Sequence, residues 1–323
     1  MNSQKISLEG IVPTELAGVR LDQALAKLFP DYSRSQLQNW IQAGHVRVDG
    51  TQKMLTREKV KVDQLIEIIE ITAHLTPSRW IAQALPLNIL YKDEALLIIN
   101  KPAELVVHPG AGILNYTLIN ALLHYDSQLA ILPRAGIIHR LDKDTSGLLV
   151  IARNLISHHA LTNAMKARKI SREYEAIVKG IPISGRTISA PIGRHSIHRT
   201  RMAVLDNGRK AITHFRILQR YRAHTHIRIR LETGRTHQIR VHMAHIHHPL
   251  VGDPVYGSHI GVPAFLSNSL KATLKAFHRQ ALHATTLQLS HPLTQQTMEW
   301  HAPLPKDMLD LLKSLAQDNA HAT

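Results

Sequence analysis

Residues 227–245 read IRIRLETGRTHQIRVHMAH, and the two halves of the stretch obey different periods. From Ile227 to Glu232 apolar and charged residues alternate strictly, which predicts a strand with its isoleucines on one face and its charges on the other. The alternation stops at Thr233-Gly234, and a helix is expected over about 236–247. Arg235 sits in the turn between them, where it can reach a neighbouring strand or a phosphate.

Outward from this stretch the same kind of reading predicts strands at about 88–91, 95–99, 173–179, 212–219, 224–232, 283–289 and 297–301. Helices are expected at 117–124, at 157–168 and after Pro305. The loop at 258–270 and the tail after about 314 show little pattern. Strands and helices mixed without regular βαβ spacing argue for an α+β fold, a mixed, largely antiparallel sheet flanked by helices around a central cleft.

Ahead of it, residues 16–73 form a small α/β module of their own. Leu21, Ala24, Leu25 and Leu28 fall at helical spacing and Pro30 closes that helix. Ser33 is placed to cap a second helix, with Leu37, Trp40 and Ile41 as its apolar stripe and Gly44 as its stop. A strand at 45–48, the turn pair Asp49-Gly50 and a strand at about 64–71 follow. Pro77 and Pro86 mark 74–86 as a linker, and the larger domain is expected over 87–315.

The chain has 323 residues, room for two domains with cores of their own, and a net charge of +15. Segment 131–253 holds 22 basic and 7 acidic residues, so the whole excess lies there. Arginine supplies most of it, which favours bidentate phosphate and base contacts and hence a nucleic-acid partner. With no cysteine, the chain has no disulfide scaffold, thiolate nucleophile, zinc ribbon or iron–sulfur cluster. No phosphate loop or dinucleotide fingerprint is present, so no nucleotide cofactor is expected. His242, His245, His247 and His248 lie close together, but no carboxylate of the H-E-x-x-H kind stands between them, and the expectation is no metal. The first ten residues carry no apolar signal core and no apolar run approaches membrane length, so a cytoplasmic protein without membrane partners is expected.

The densest cluster of chemically able residues is HRLDKDTSG at 139–147, between Gly136-Ile137-Ile138 and the apolar run 148–152. A strand–turn–strand arrangement puts Asp142 at the lip of a sheet among cations, which favour its ionised form. Taken alone, the segment serves equally well as a charged loop capping a hairpin.

Three motifs in order, HRLDKDTSG at 139–147, REYEAIVKG at 172–180 and ETGRTHQIRVHMAH at 232–245, resemble those of the RNA pseudouridine synthases that modify large-subunit rRNA and some tRNAs. VVHPGAG at 106–112, HPLVGDPVYG at 248–257 and RQALHA at 279–284 extend the likeness. RLDQAL at 20–25 and SRS at 33–35, followed by Ile41, Gly44, Val46 and Val48-Asp49-Gly50, resemble the S-four RNA-binding module. The resemblance implies a cofactor-free uridine isomerase with Asp142 as the acting carboxylate and Arg235 as its ion-pair partner. Tyr174 would lie against the base, Ile239 would add apolar contact, and Arg140 would fill the space left by the flipped nucleotide. RNA contacts are expected from Arg20, Arg34 and Arg47, and from Arg194, Arg199, Arg201, Arg209 and Lys210. The last group belongs to a basic hairpin with Asn207-Gly208 near its turn. The implied partner of a monomeric enzyme is 23S rRNA or a large-subunit precursor, at the stem-loop of the inter-subunit bridge.

Overall fold

The computed structural model describes residues 5–30, 32, 34–72, 80–109, 113–198, 200–257 and 261–320. Contacts divide the chain into two compact units, Met1–Arg79 and Trp80–Thr323.

The first unit contains β1 (Lys5–Ile11), α1 (Leu21–Leu28), α2 (Arg34–Gln42), β2 (Val46–Val48), β3 (Thr51–Lys53) and β4 (Leu65–Thr72). The strands form an antiparallel sheet in the order β1-β4-β2-β3. Leu21, Ala24 and Leu25 of α1 and Leu37, Trp40 and Ile41 of α2 meet Val46, Val48, Ile66 and Ile68 in one core, so the helical periodicity decides which faces turn inward. β1 precedes the expected module and pairs with β4 from Ile11↔Leu65 to Lys5↔Thr72. Ser33, the expected cap of α2, lies outside the described residues.

The expected linker 74–86 lies outside the described residues as far as 79. Residues 80–86 have no regular structure but are tied into the second unit: Asn120 accepts at its carbonyl from Gln83 N–H (3.0 Å) and donates through Nδ2 to Ile81 O (2.7 Å).

The second unit runs through β5 (Ile89–Lys92), β6 (Leu96–Lys101), α3 (Leu118–Tyr125), β7 (Ser146–Ala152), α4 (Leu155–Lys166), β8 (Ser171–Lys179), β9 (Arg186–Ser189), β10 (Ile192–Arg194), β11 (Met202–Val204), β12 (Ile212–Arg220), β13 (His224–Leu231), α5 (Gln238–His245), α6 (Asn268–Ala276), β14 (Leu282–Ser290), β15 (Thr297–His301) and α7 (Lys306–Ala320). Nine strands form one mixed sheet, β5-β6-β7-β14-β8-β13-β12-β9, with β15 beside β14. Every pairing in it is antiparallel except β7 with β14. No helix among the described residues is long and apolar enough to cross a membrane.

The alternation at 227–232 behaves as the sequence predicts: Ile227 and Ile229 are fully buried while Arg228 and Arg230 face outward. β6 and β7 are buried on both faces, which is why they read as unbroken apolar runs. Leu97, Ile99, Leu149 and Ile151 pack under α3, and Leu96, Ile98, Leu148 and Val150 pack under α4. Gly147 lies where β7 meets β14; with φ near 114°, a Cβ there would come within 2.3 Å of Ala284 O. The basic hairpin exists in altered form. β10 pairs with β11, and Asn207-Gly208 instead makes the turn that follows β11, with Gly208 N–H donating to Leu205 O. In the poorly patterned stretch 258–270 and beyond it, α6 starts at Asn268, its first turn capped by the Ser267 side chain.

Candidate active site

The segment 137–145 is built to hold one turn rigidly. Ile137 bridges to Ile151 of β7, Leu141 is buried, and Thr145 N–H closes the turn on Asp142 O at 3.1 Å. From below, the buried ammonium of Lys101 donates to Pro102 O (2.7 Å), Leu105 O and Lys143 O (2.9 Å each). Burial pushes that amine down to about 7, with the charges of Asp144 and Asp142 opposing the drop. From the side, Arg279 donates to Asp144 O (3.2 Å) and Gln280 to Thr145 Oγ1 (3.0 Å).

Asp142 then projects into a cleft of about 470 Å³. Its Oδ2 accepts from Arg240 Nη1 at 3.1 Å. Arg240 is itself gripped by Asp253, Nε to Oδ2 at 2.7 Å and Nη2 to Oδ1 at 2.9 Å, and Asp253 also accepts from the N–H groups of Val255 and Tyr256. Burial works against the Arg240 charge, but the hydrogen bonds and charge of Asp253, with those of Asp142, outweigh it and hold the guanidinium above its ordinary value. Burial likewise works to raise the Asp253 carboxyl, and Arg240 outweighs it, keeping it below the usual carboxylate range.

His237 stands on the other side of Asp142, its Nε2 3.9 Å from Oδ2. It is the left-handed residue (φ 57°) from which α5 starts, and its Nδ1 shares a hydrogen bond of 2.8 Å with the Tyr256 hydroxyl. That hydroxyl also accepts Met202 N–H, so β11 is fastened to the site. Burial holds His237 below its usual range, against the pull of the Asp142 charge. Tyr174 and Ile239, both buried, line the cleft from β8 and α5. Burial raises the Tyr174 phenol, opposed by the Arg172 charge.

One expectation is corrected. Arg235 does not pair with Asp142: its Nε donates to Lys210 O at 3.1 Å, and Arg240 makes the ion pair. α5 begins at Gln238, so Arg235 stays in the turn on the cleft wall while Arg240, in the first turn of the helix and clamped by Asp253, faces the carboxylate. Asp144, the other carboxylate of the same turn, does not line the cleft. Arg140 lines it and is exposed, with no hydrogen bond or ion pair to another described residue.

Seven cations line the cleft (Arg134, Arg140, Lys166, Arg168, Arg172, Arg235, Arg240) against two carboxylates, Asp142 and Glu232. A positive wall around one aimed carboxylate and a buried phenol ring suits a flat, neutral ring attached to a polyanionic backbone. Sequence reading passed over Lys101, Arg172, His237, Arg240, Asp253, Tyr256, Arg279 and Gln280. The available signal was Lys101 itself, a lysine ending a strand that opens with four apolar residues, and the presence of most of the others inside the quoted motifs.

Arg194, Arg201, Arg209 and Lys210 are exposed on or beside β10 and β11, while Arg199 lies outside the described residues. His242, one of the clustered histidines, spends both ring nitrogens inside the fold, on Thr213 Oγ1 (2.8 Å) and Ala190 O (2.9 Å). In the first unit, Arg20, Arg34 and Gln38 converge on the fully buried carboxylate of Asp22. Arg47 is exposed on β2.

The family model described as RNA pseudouridylate synthase matches residues 95–245, and the S4 domain model matches residues 19–64. The chain is 52% identical over 316 residues to ribosomal large subunit pseudouridine synthase D of Pseudomonas aeruginosa, covering 98% of both chains. To the protein of the same name from Escherichia coli it is 50% identical over 319 residues, 98% of this chain and 96% of that one. Among solved structures, human RNA pseudouridylate synthase domain containing 4 superposes with a TM-score of 0.55 at 25% identity, over 71% of this chain and 93% of the human one.

Proposed function

Because the chain belongs to the RNA pseudouridine synthase family, an isomerase family, we propose that it converts specific uridines of 23S large-subunit rRNA, in the stem-loop at the inter-subunit bridge, with Asp142 as the acting carboxylate. The observation that carries this reading is the Asp142–Arg240–Asp253 chain at the base of a cationic cleft beside Tyr174. The relatives that match over almost the whole length are named for the large ribosomal subunit.

The reaction breaks the bond between the sugar's anomeric carbon and the ring nitrogen, turns the freed uracil and rejoins it through carbon five. Atoms and electrons balance within the nucleotide, so the chemistry calls for no redox partner or group donor. Asp142 acts on the sugar, as nucleophile or as base, and the Arg240 guanidinium keeps it ionised and aimed. Extruding the nucleotide costs a few kcal/mol, least in an unpaired loop; Arg140, free at the cleft wall, enters the vacated space. Tyr174 and Ile239 enclose the base, which keeps it from diffusing away between cleavage and rejoining.

The S-four-like module, 16–73, and the cations Arg194, Arg199, Arg201, Arg209 and Lys210 hold the surrounding RNA by phosphate contacts, with 87–315 as the catalytic domain. The enzyme acts as a cytoplasmic monomer. Asp142→Asn keeps the side chain's size and removes its charge. It is expected to lower pseudouridine formation in a 23S transcript on the order of 10⁴-fold, the scale of losing a central catalytic group. Wild-type conversion by that variant would leave a non-catalytic RNA-binding factor as the better reading.

A further inference from the structure

One buried cation in the cleft has no counter-ion among the described residues. Arg172 is nine-tenths buried on β8, two residues before Tyr174 and on the same face of the strand, yet among the described residues its guanidinium makes no hydrogen bond or ion pair. Its Nε is buried without an acceptor. Its Nη1 lies against Gly234 on the cleft wall, where a Cβ would stand only 3.0 Å from it.

A second unpartnered donor lies close by. His139, also in the cleft lining, takes Val150 N–H on its Nε2 at 3.4 Å, which leaves the ring proton on Nδ1. That Nδ1 is buried with no partner among the described residues. Buried donors without acceptors are costly and rare in a finished structure, and two of them at one wall mark a place kept for an acceptor that arrives from outside.

We infer that Arg172, supported by His139, is the base-side anion site of the reaction: it receives the carbonyl edge of the uracil while the ring is detached from the sugar. The inference rests on the isomerase reading above. When the glycosidic bond breaks, its electron pair stays on the uracil and spreads over the ring nitrogen and both carbonyl oxygens. The anomeric carbon then bonds to carbon five, the proton displaced from carbon five is returned to the ring nitrogen, and the negative charge disappears. Negative charge on the base therefore exists only between the two bond changes, and a fixed cation in a water-poor pocket stabilises that state selectively. Depth separates the base from the phosphates. The phosphates stay at the mouth with exposed Arg140, whereas Arg172 sits at the level of the buried Tyr174 ring.

The test uses the full chain, a 23S transcript labelled in its uracil rings, and Arg172→Met beside Arg172→Lys. Single-turnover conversion by Arg172→Met is expected to fall about 100-fold, the scale of removing one preorganised charge donor. RNA Kd should change less than twofold and keep its salt dependence, and free labelled uracil should appear as a fraction of cleavage events. Arg172→Lys should restore part of the rate. An unchanged rate overturns the inference. So does a loss that follows a weaker Kd with a salt slope reduced by about one, since that is a phosphate contact. Should Arg172→Met fail to fold, Gly234→Ala displaces Nη1 without removing the charge and is expected to slow conversion at unchanged Kd; a wild-type rate there overturns the inference as well. If the unmodified chain makes no pseudouridine, or Asp142→Asn still does, the reaction reading fails. If only the Arg172 variants behave as wild type, the anion site alone fails.

Discussion

Replacing Arg240 by Met tests the ion chain at its centre. The substitution conserves most of the volume and removes a guanidinium that donates to Asp253 at 2.7 and 2.9 Å and to Asp142 at 3.1 Å. The Asp253 carboxylate is wholly shielded from solvent, so it is left buried with only the N–H groups of Val255 and Tyr256 as donors. Removing one partner of a buried pair costs about 3–5 kcal/mol; the two surviving backbone donors place the expected loss near the lower end. Arg235→Met is the control. It removes a single bond to a backbone carbonyl at a half-exposed site, worth about 1 kcal/mol or less. Urea unfolding of both variants measures the stabilities, and adding Asp253→Asn to Arg240→Met should recover part of the loss because the orphaned charge is gone. Catalytically, Arg240→Met is expected to slow single-turnover conversion about 100-fold or more through loss of aim and charge support at Asp142. Equal costs for the two arginines, or full stability in Arg240→Met, would refute the assignment of Arg240 as the structural and electrostatic partner.

Two further outcomes follow from other buried titratable groups. His224 and His283 are held neutral in the fold, at about 4, chiefly by burial, against about 6.5 in the unfolded chain. The unfolded chain therefore binds more protons between those values, and the stability present above pH 6.5 is lost as pH falls toward 4. These two protons contribute about 2.7 kcal/mol per pH unit near pH 5, and His108 and His139, also held neutral by burial, steepen the slope further; urea midpoints at pH 7, 6 and 5 measure it, and a flat profile contradicts it. In the first unit, Asp22→Asn unties Arg20, Arg34 and Gln38 from a shared buried carboxylate. RNA binding should weaken several-fold by titration while the rate at saturating RNA holds; an unchanged Kd would show that this cluster does not orient RNA contacts.

Local features carried much of the fold into the sequence. Strict alternation at 227–232 reports a strand with one wet face, and the unbroken apolar runs at 96–99 and 148–151 report strands covered on both. The helix α6 was invisible because it turns few apolar residues inward, Leu270 chief among them, and its pattern emerges only against α7. β1 was missed for a related reason: its place is set by backbone pairing with β4, some sixty residues on.

The motifs by themselves determined that Asp142 stands in a cationic turn ahead of a buried strand and that RNA is the partner their resemblance implies, because residue type and short spacing are local properties; the strand expected before that turn is only the single bridge of Ile137 to Ile151. Only the tertiary structure decided which arginine meets Asp142. Arg235 and Arg240 lie five residues apart in one motif, and the choice follows from where α5 begins and from Asp253, which folds back from the turn after the helix. The same holds for the unpaired guanidinium of Arg172 among the described residues, since a missing partner is a property of everything packed near a side chain and leaves no mark on its sequence neighbours. Chain chemistry supplies the charges; packing determines which of them are neutralised within the fold and which remain for a substrate.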